Sequence, residues 1–156
     1  MKGTVLIIGA GGVGSVAAHK CAMNLDVFKK IHLASRSSAK PNAIKKDVKK
    51  RWGVDITTHV VDADKTKEVV ALINKVKPEI LINLALPYQD LAVMDACIAA
   101  KTNYIDTANY EHPDKAHFEY KEQWFVYKNK RSEMYGGEVF VELWNRLLEE
   151  LNGIDS

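Results

Sequence analysis

Short apolar runs alternate with amphipathic stretches along most of the chain, and the change of period marks each element. VLII at residues 5–8 predicts a first strand over about 3–9. Val13, Val16, Ala17, Cys21 and Met23 then supply the apolar positions of a helix over about 12–24. IHLAS, ending at Ser35, reads as a second strand. A lysine-rich helix opens in the segment 37–41 and stops at Gly53, since glycine is the preferred residue just past a helix C-terminus. DITTHVVD, residues 55–62, is dense in β-branched types and predicts a third strand. Val69, Val70, Ile73 and Val76 predict a helix over 66–76, which Lys77 and Pro78 end before the fourth strand EILINLA. Leu91, Met94, Ala96 and Ile98 predict a helix over about 88–101, and NYIDTA at 103–108 a fifth strand.

Strands alternating with helices are the pattern of βαβ units. The expected fold class is therefore α/β, a Rossmann-like doubly wound parallel sheet whose right-handed crossovers extend it on both sides of the first strand. Beyond the fifth strand, a polar, aromatic helix is expected from His112 to about 130, followed by a shortened junction over 128–137. The segment 138–152 places Phe140, Leu143, Trp144, Leu147, Leu148 and Leu151 on one helical face, so a C-terminal amphipathic helix is expected to close the domain.

Composition narrows the class without changing it. A length of 156 residues suits a single domain, 1–156, and 47% hydrophobic with 27% charged residues excludes a disordered or membrane chain. The N-terminal apolar run is about half a usual signal core and leads straight into glycines, so it reads as a retained strand of a cytoplasmic protein. A net charge of +2 gives no reason to expect nucleic acid as a partner. Lys45, Lys46, Lys49, Lys50 and Arg51 cluster without interleaved aromatic residues, and are expected on a solvated helix face. Cys21 and Cys97 lie in helical apolar patterns without metal-ligand spacing, and are expected as reduced, buried thiols. No nucleophile elbow, paired-cysteine motif or zinc-binding histidine motif occurs, so no metal is expected.

The chemistry is carried by GAGGVG, residues 9–14, placed between the first strand and the first helix. In a dinucleotide site the first glycine, Gly9, makes the sharp turn off the strand. Gly11 lets the backbone approach a pyrophosphate, and Gly14 lets the helix pack tightly on the strand. The helix N-terminus then presents unpaired N–H groups to the phosphates. Ligands of such sheets bind beyond the C-terminal strand ends. After the second strand, Ala34 stands near the position where NAD-selective sites carry a carboxylate. The Arg36 guanidinium and the Ser35 and Ser37 hydroxyls suit a 2′-phosphate instead, which favours NADP; capping of the next helix is the alternative. After the third strand, Asp62 could accept from an adenine amino group, and Asp64 could do the same or cap the following helix, capping being the role expected of it. Asn83 to Pro87 form a small-residue turn placed to pass under ribose and nicotinamide, or an ordinary connecting loop. Asp106 and Thr107 close the fifth strand, where a polar side chain could face the nicotinamide or simply bond the backbone. His19, His112 and His117 are expected in surface or capping roles.

Together VLIIGAGGVGSVAAHKCA, IHLASRS, the Asp62–Asp64 segment, LINLALPYQDLAVMDAC and NYIDTANYE resemble the N-terminal cofactor domain of the saccharopine dehydrogenase family. The similarity is closest to the family's bacterial carboxynorspermidine synthase branch and covers about residues 3–127. It implies NADPH-dependent reduction of an imine formed between an amine and a carbonyl compound. By position, Gly9, Gly11, Gly12, Val13 and Gly14 would cradle the pyrophosphate, and Ser35 and Arg36 would take the 2′-phosphate. Asp62 and Ala63 would meet the adenine, and the Asn83 to Pro87 turn would lie by the nicotinamide. Family members are more than twice this length because a substrate domain follows the fifth strand and its helix. The expectation is therefore a dinucleotide-binding domain that is not catalytically complete, with its substrate domain missing. A non-catalytic module or engineered scaffold that self-associates as a homodimer through the Phe140 to Leu151 stripe is the alternative. A third reading is a short reductase with Tyr110 or His112 as the acid.

Overall fold

A computed structural model of the chain describes residues 3–107. Strand β1 (Thr4–Ile8) is buried along its whole length, as its near-continuous apolar sequence after Thr4 requires of a central parallel strand. It is followed by α1 (Gly12–Ala22), β2 (Lys30–Ser35), α2 (Ala39–Trp52) and β3 (Thr57–Val60). The chain continues through α3 (Thr66–Val76), β4 (Ile80–Asn83), a 3-10 turn (Pro87–Gln89), α4 (Asp90–Ala100) and β5 (Asn103–Asp106). The strands pair in parallel in the order β3-β2-β1-β4-β5. Ile8 at the end of β1 stands level with Ala34 of β2 and Asn83 of β4, so three loops leave the sheet along one edge. The expected polar helix from His112, the junction and the C-terminal helix, with Tyr110, His112 and His117, lie outside the described residues.

Alternate residues of each strand feed two separate cores. Leu6, Ile8, Ala34 and Leu81 meet Val69, Ile73, Val93 and Met94 from α3 and α4 on one face. Val5, Ile7, Ile31 and Leu33 meet Ala18, Cys21, Ala22 and Val48 from α1 and α2 on the other. The sheet is thus doubly wound, with the change of side at the crossover from β3 through α3 to β4.

The buried face of α1 differs from the one expected. Gly14, Ala18, Cys21 and Ala22 face the sheet, whereas Val13 and Val16 are 60% and 59% exposed and Met23 is also exposed. The helix lies so near β1 that only small side chains fit between them, and the valines turn outward. Both cysteines are free and buried, and burial pushes the Cys21 thiol up to about 11 and the Cys97 thiol up to about 12. Across α1 and α2, the Trp52 indole donates to His19 Nδ1 at 2.9 Å, and His19 Nε2 stands 3.2 Å from Asp47 Oδ2. Arg51 donates to the same carboxylate oxygen at 2.9 Å, and that bond holds Asp47 below its ordinary value. Lys45 pairs with Asp55 at 3.0 Å, and Lys46, Lys49, Lys50 and Arg51 are exposed on α2.

Candidate functional site

The segments that follow β1, β2, β3 and β4 together enclose a cleft of about 240 Å³. Its floor is the turn after β1, where Gly9 adopts φ 109°, a region closed to residues with side chains. A methyl group on Gly9 would also strike the Leu84 carbonyl and stand 2.9 Å from the Ala85 nitrogen. Gly14 is packed directly on the Gly9 carbonyl, which holds the start of α1 against the strand. A methyl on Gly11 or Gly12 would meet nothing within 4 Å. The bare backbone at these two positions therefore answers no packing need among the described residues. Gly11 is the N-cap of α1, lines the cleft and offers no side-chain cap, so the N–H groups of the first turn have no intrahelical partner. That combination suits a pyrophosphate: close approach, N–H donors and a helix dipole of the right sign.

One end of the cleft is cationic. Ser35 and Arg36 from the end of β2 meet Lys40 from the first turn of α2, and no carboxylate lines the cleft among the described residues. The walls are Val61 and Ala63 after β3 and Leu84, Ala85 and Leu86 after β4. Two carboxamides hold the second wall. Asn83 Oδ1 accepts from the Ala85 N–H at 3.1 Å, and Gln89 Oε1 accepts from the Leu86 N–H at 3.4 Å. Asn83 Nδ2 also donates to Asp90 Oδ1 at 2.8 Å and to the Tyr104 hydroxyl at 3.0 Å. Burial first, and the Asp90 carboxylate next, push the Tyr104 hydroxyl far above its usual value and keep it neutral.

The chain matches the family model for the saccharopine dehydrogenase NADP binding domain over residues 5–133. It belongs to that family. The cofactor of the domain is accordingly NADP. Among relatives, the chain is 49% identical over 126 residues to carboxyaminopropylagmatine dehydrogenase of Synechocystis sp., covering 81% of this chain and 30% of that protein. It is 44% identical over 110 residues to carboxynorspermidine synthase of Vibrio cholerae, covering 67% of this chain and 27% of that protein. The chain spans less than a third of the length of these curated relatives. Among solved structures, saccharopine dehydrogenase (L-Glu forming) from Saccharomyces cerevisiae superposes with a TM-score of 0.54 at 21% identity, over 70% of this chain and 22% of that one. That likeness is one of fold.

Set in this NADP-binding family, the residues singled out by sequence fall into three groups. Gly9, Gly11, Ser35, Arg36 and Ala63 line the cleft. Gly12 is exposed at the start of α1, and Gly14 supports the turn from beneath. Val13, Ser37, Asp62 and Asn83 are not among the lining residues. Val13 and Ser37 are exposed, and Pro87 opens the 3-10 turn. Asn83 is only 2% exposed and acts beneath the turn, with its amide spent on internal bonds. Ala34 lies in the core, and Ser35 is the residue of β2 that reaches the cleft.

The expected cap at Asp64 is corrected. Lys65 occupies the N-cap of α3 without a side-chain bond, and Asp64 Oδ2 accepts from Gln89 Nε2 at 2.7 Å. The loop turns back here, since Asp62 Oδ1 accepts from the Asp64 N–H at 3.3 Å, and the Asp64 carboxylate meets Gln89 instead of the start of α3. Ser38, not Ser37, is the N-cap of α2, also without a side-chain bond. Asp106 interacts with the Tyr104 hydroxyl. Lys40 and Gln89 were not singled out by sequence. Lys40 lies four positions after Arg36, in the first turn of α2 and next in sequence among the cations, which could have drawn attention to it.

Proposed function

We propose that this chain holds NADP(H) for an oxidoreductase that acts on an amine or imine, the CH–NH class, and that its cleft binds and orients the cofactor without itself moving substrate protons. The observation that carries the reading is the cationic end of the cleft, where Ser35, Arg36 and Lys40 converge without a lining carboxylate. A 2′-phosphate is dianionic, and a planar guanidinium with a second ammonium matches its charge. The uncovered backbone of Gly11 and Gly12 leaves space for the pyrophosphate. The substrate class rests on relatives named carboxyaminopropylagmatine dehydrogenase and carboxynorspermidine synthase.

When bound, the nicotinamide supplies the hydride that such a reduction needs. The chain's part is positional: the Gly9 turn and α1 hold the phosphates, and Leu84 to Leu86 form a neutral wall. Among the described residues no histidine, cysteine, tyrosine or carboxylate lines the cleft, which supports binding without proton transfer by these groups. Titration with NADPH and NADH tests the reading. The wild-type chain is expected to prefer NADPH, and Arg36→Ala or Lys40→Ala each to weaken NADPH by about tenfold to a hundredfold while barely touching NADH. Equal binding of both dinucleotides by wild type would sink it. Amine, carbonyl compound and NADPH incubated with the chain are expected to show no consumption of reduced nicotinamide.

A further inference from the structure

We infer that Gln89 is a positioning residue that sets the width of the cleft by tying its two walls together, an inference that rests on the dinucleotide reading above. The walls come from the loops after β3 and β4, and these strands are not neighbours: β2 and β1 lie between them in the sheet. Ladder bonds from the Val61, Gly9 and Leu84 N–H groups to Ser35, Ala34 and Ile8 fix the feet of the two walls, but no direct pairing of β3 with β4 holds Ala63 against Leu84 to Leu86 beyond them. Gln89 spans the gap. Its side chain is 3% exposed, so it is held in one place, and it lines the cleft from the 3-10 turn ahead of α4. Nε2 donates to Asp64 Oδ2 at 2.7 Å, a short bond to a carboxylate, while Oε1 accepts from the Leu86 N–H. One carboxamide thus fastens the β4 turn with its oxygen and the β3 loop with its nitrogen. Glutamine fits this task because it donates and accepts at one planar group, which glutamate, with two acceptors, cannot. The adenosine half is assigned to the β3 side of the cleft, because Val61 and Ala63 follow the strand next to β2, whose end carries Ser35 and Arg36, while Leu84 to Leu86 face it from beyond β1.

The test reverses the bond. Gln89→Glu places a carboxylate against Asp64, while Gln89→Glu with Asp64→Asn restores a donor facing an acceptor at unchanged net charge. Dissociation constants for NADPH and for adenosine 2′,5′-bisphosphate are measured beside thermal midpoints. Gln89→Glu is expected to weaken both ligands by roughly tenfold or more, with the ratio of NADPH to NADH affinity unchanged. The double variant is expected to return within about threefold of wild type. Asp64→Ala, at an exposed position, keeps the question open to measurement if the single glutamate does not fold, and is expected to weaken both ligands likewise. Tight wild-type binding with undiminished affinity in Gln89→Glu or Asp64→Ala would overturn the inference, as would a double variant no better than the single one. Absence of NADPH binding by wild type would overturn the cofactor reading and this inference with it.

Discussion

At the scale of single residues, the glycines of the first turn divide by what surrounds them. Gly14 is packed on the Gly9 carbonyl, so Gly14→Ala must push α1 away from β1. A loss of about 2 kcal/mol or more is expected, the size seen when a well-packed core is overfilled. Gly11→Ala puts its methyl into open space, with φ −81° and ψ −165°, backbone values that alanine accepts. Its effect on stability is expected within about 1 kcal/mol, since a weaker N-cap and a stiffer unfolded chain oppose each other. Its effect on NADPH affinity is expected to be large, because the methyl occupies the approach of the pyrophosphate. Thermal melts beside NADPH titration check both, and a Gly11→Ala chain that binds as wild type would remove Gly11 from the phosphate site. These roles were legible in the sequence because one spacing specifies a turn, an approach and a packing contact within six consecutive residues. Gln89 was not, because its meaning depends on Asp64, 25 positions away on a loop whose path no local pattern records.

At the scale of elements, period and punctuation placed every described strand and helix, with 66–76 matching α3 end to end and Gly53 ending α2 at φ 71°. Two things required the packed structure. The inward face of α1 depends on how near the helix comes to β1, so small residues displaced the valines that periodicity had favoured. Contacts across strands depend on register, and here Ala34 stands opposite His59. His32 and His59 consequently share the α3 side of the sheet, with Nδ1 and Nε2 2.9 Å apart and rings stacked at 5.2 Å and 20°. Such a bond needs one ring to donate and the other to accept, which two neutral imidazoles provide and two imidazolium ions do not. Burial lowers both rings below 6.5, aided at His32 by His59 and Lys30 and at His59 by Lys75 of α3. The unfolded chain then binds more protons than the folded one below about pH 6.5. Stability from this pair is therefore full above that pH and is lost as pH falls through the lowered folded values. Denaturant melts over that interval are expected to show the decline, and His59→Gln to flatten it; an unchanged slope in the variant would assign the decline to other groups.

At the scale of the whole molecule, the described residues cover the two faces of the sheet unequally. On one side α3 and α4 pack together across the core, with α4 reaching β4 and β5. On the other, α1 and α2 lie against β1, β2 and β3. Over the remaining half of that face Ile80 and Ile82 are only half-buried and Ile105 of β5 is 46% exposed. Register puts Ile105 beside Ile82, and Ile82 beside Ile7, so the three form one apolar row running from covered to uncovered sheet. Parallel sheets are stable with both faces covered, and an apolar row left in water has no compensating term. Ile105 is therefore expected to behave in the full chain as a buried residue. Ile105→Lys should cost about 2 kcal/mol or more, against roughly 0.5 kcal/mol or less for a truly solvated position. Val60→Lys on the edge strand β3 is the internal comparison, since Val60 is also exposed, at 64%, and Lys is well tolerated on sheet edges. Urea denaturation of both variants in the 156-residue chain separates the cases. If Ile105→Lys is as mild as Val60→Lys, the β4–β5 half of this face is solvated, and the domain is stabilised by the α3–α4 side and the β1–β3 half alone.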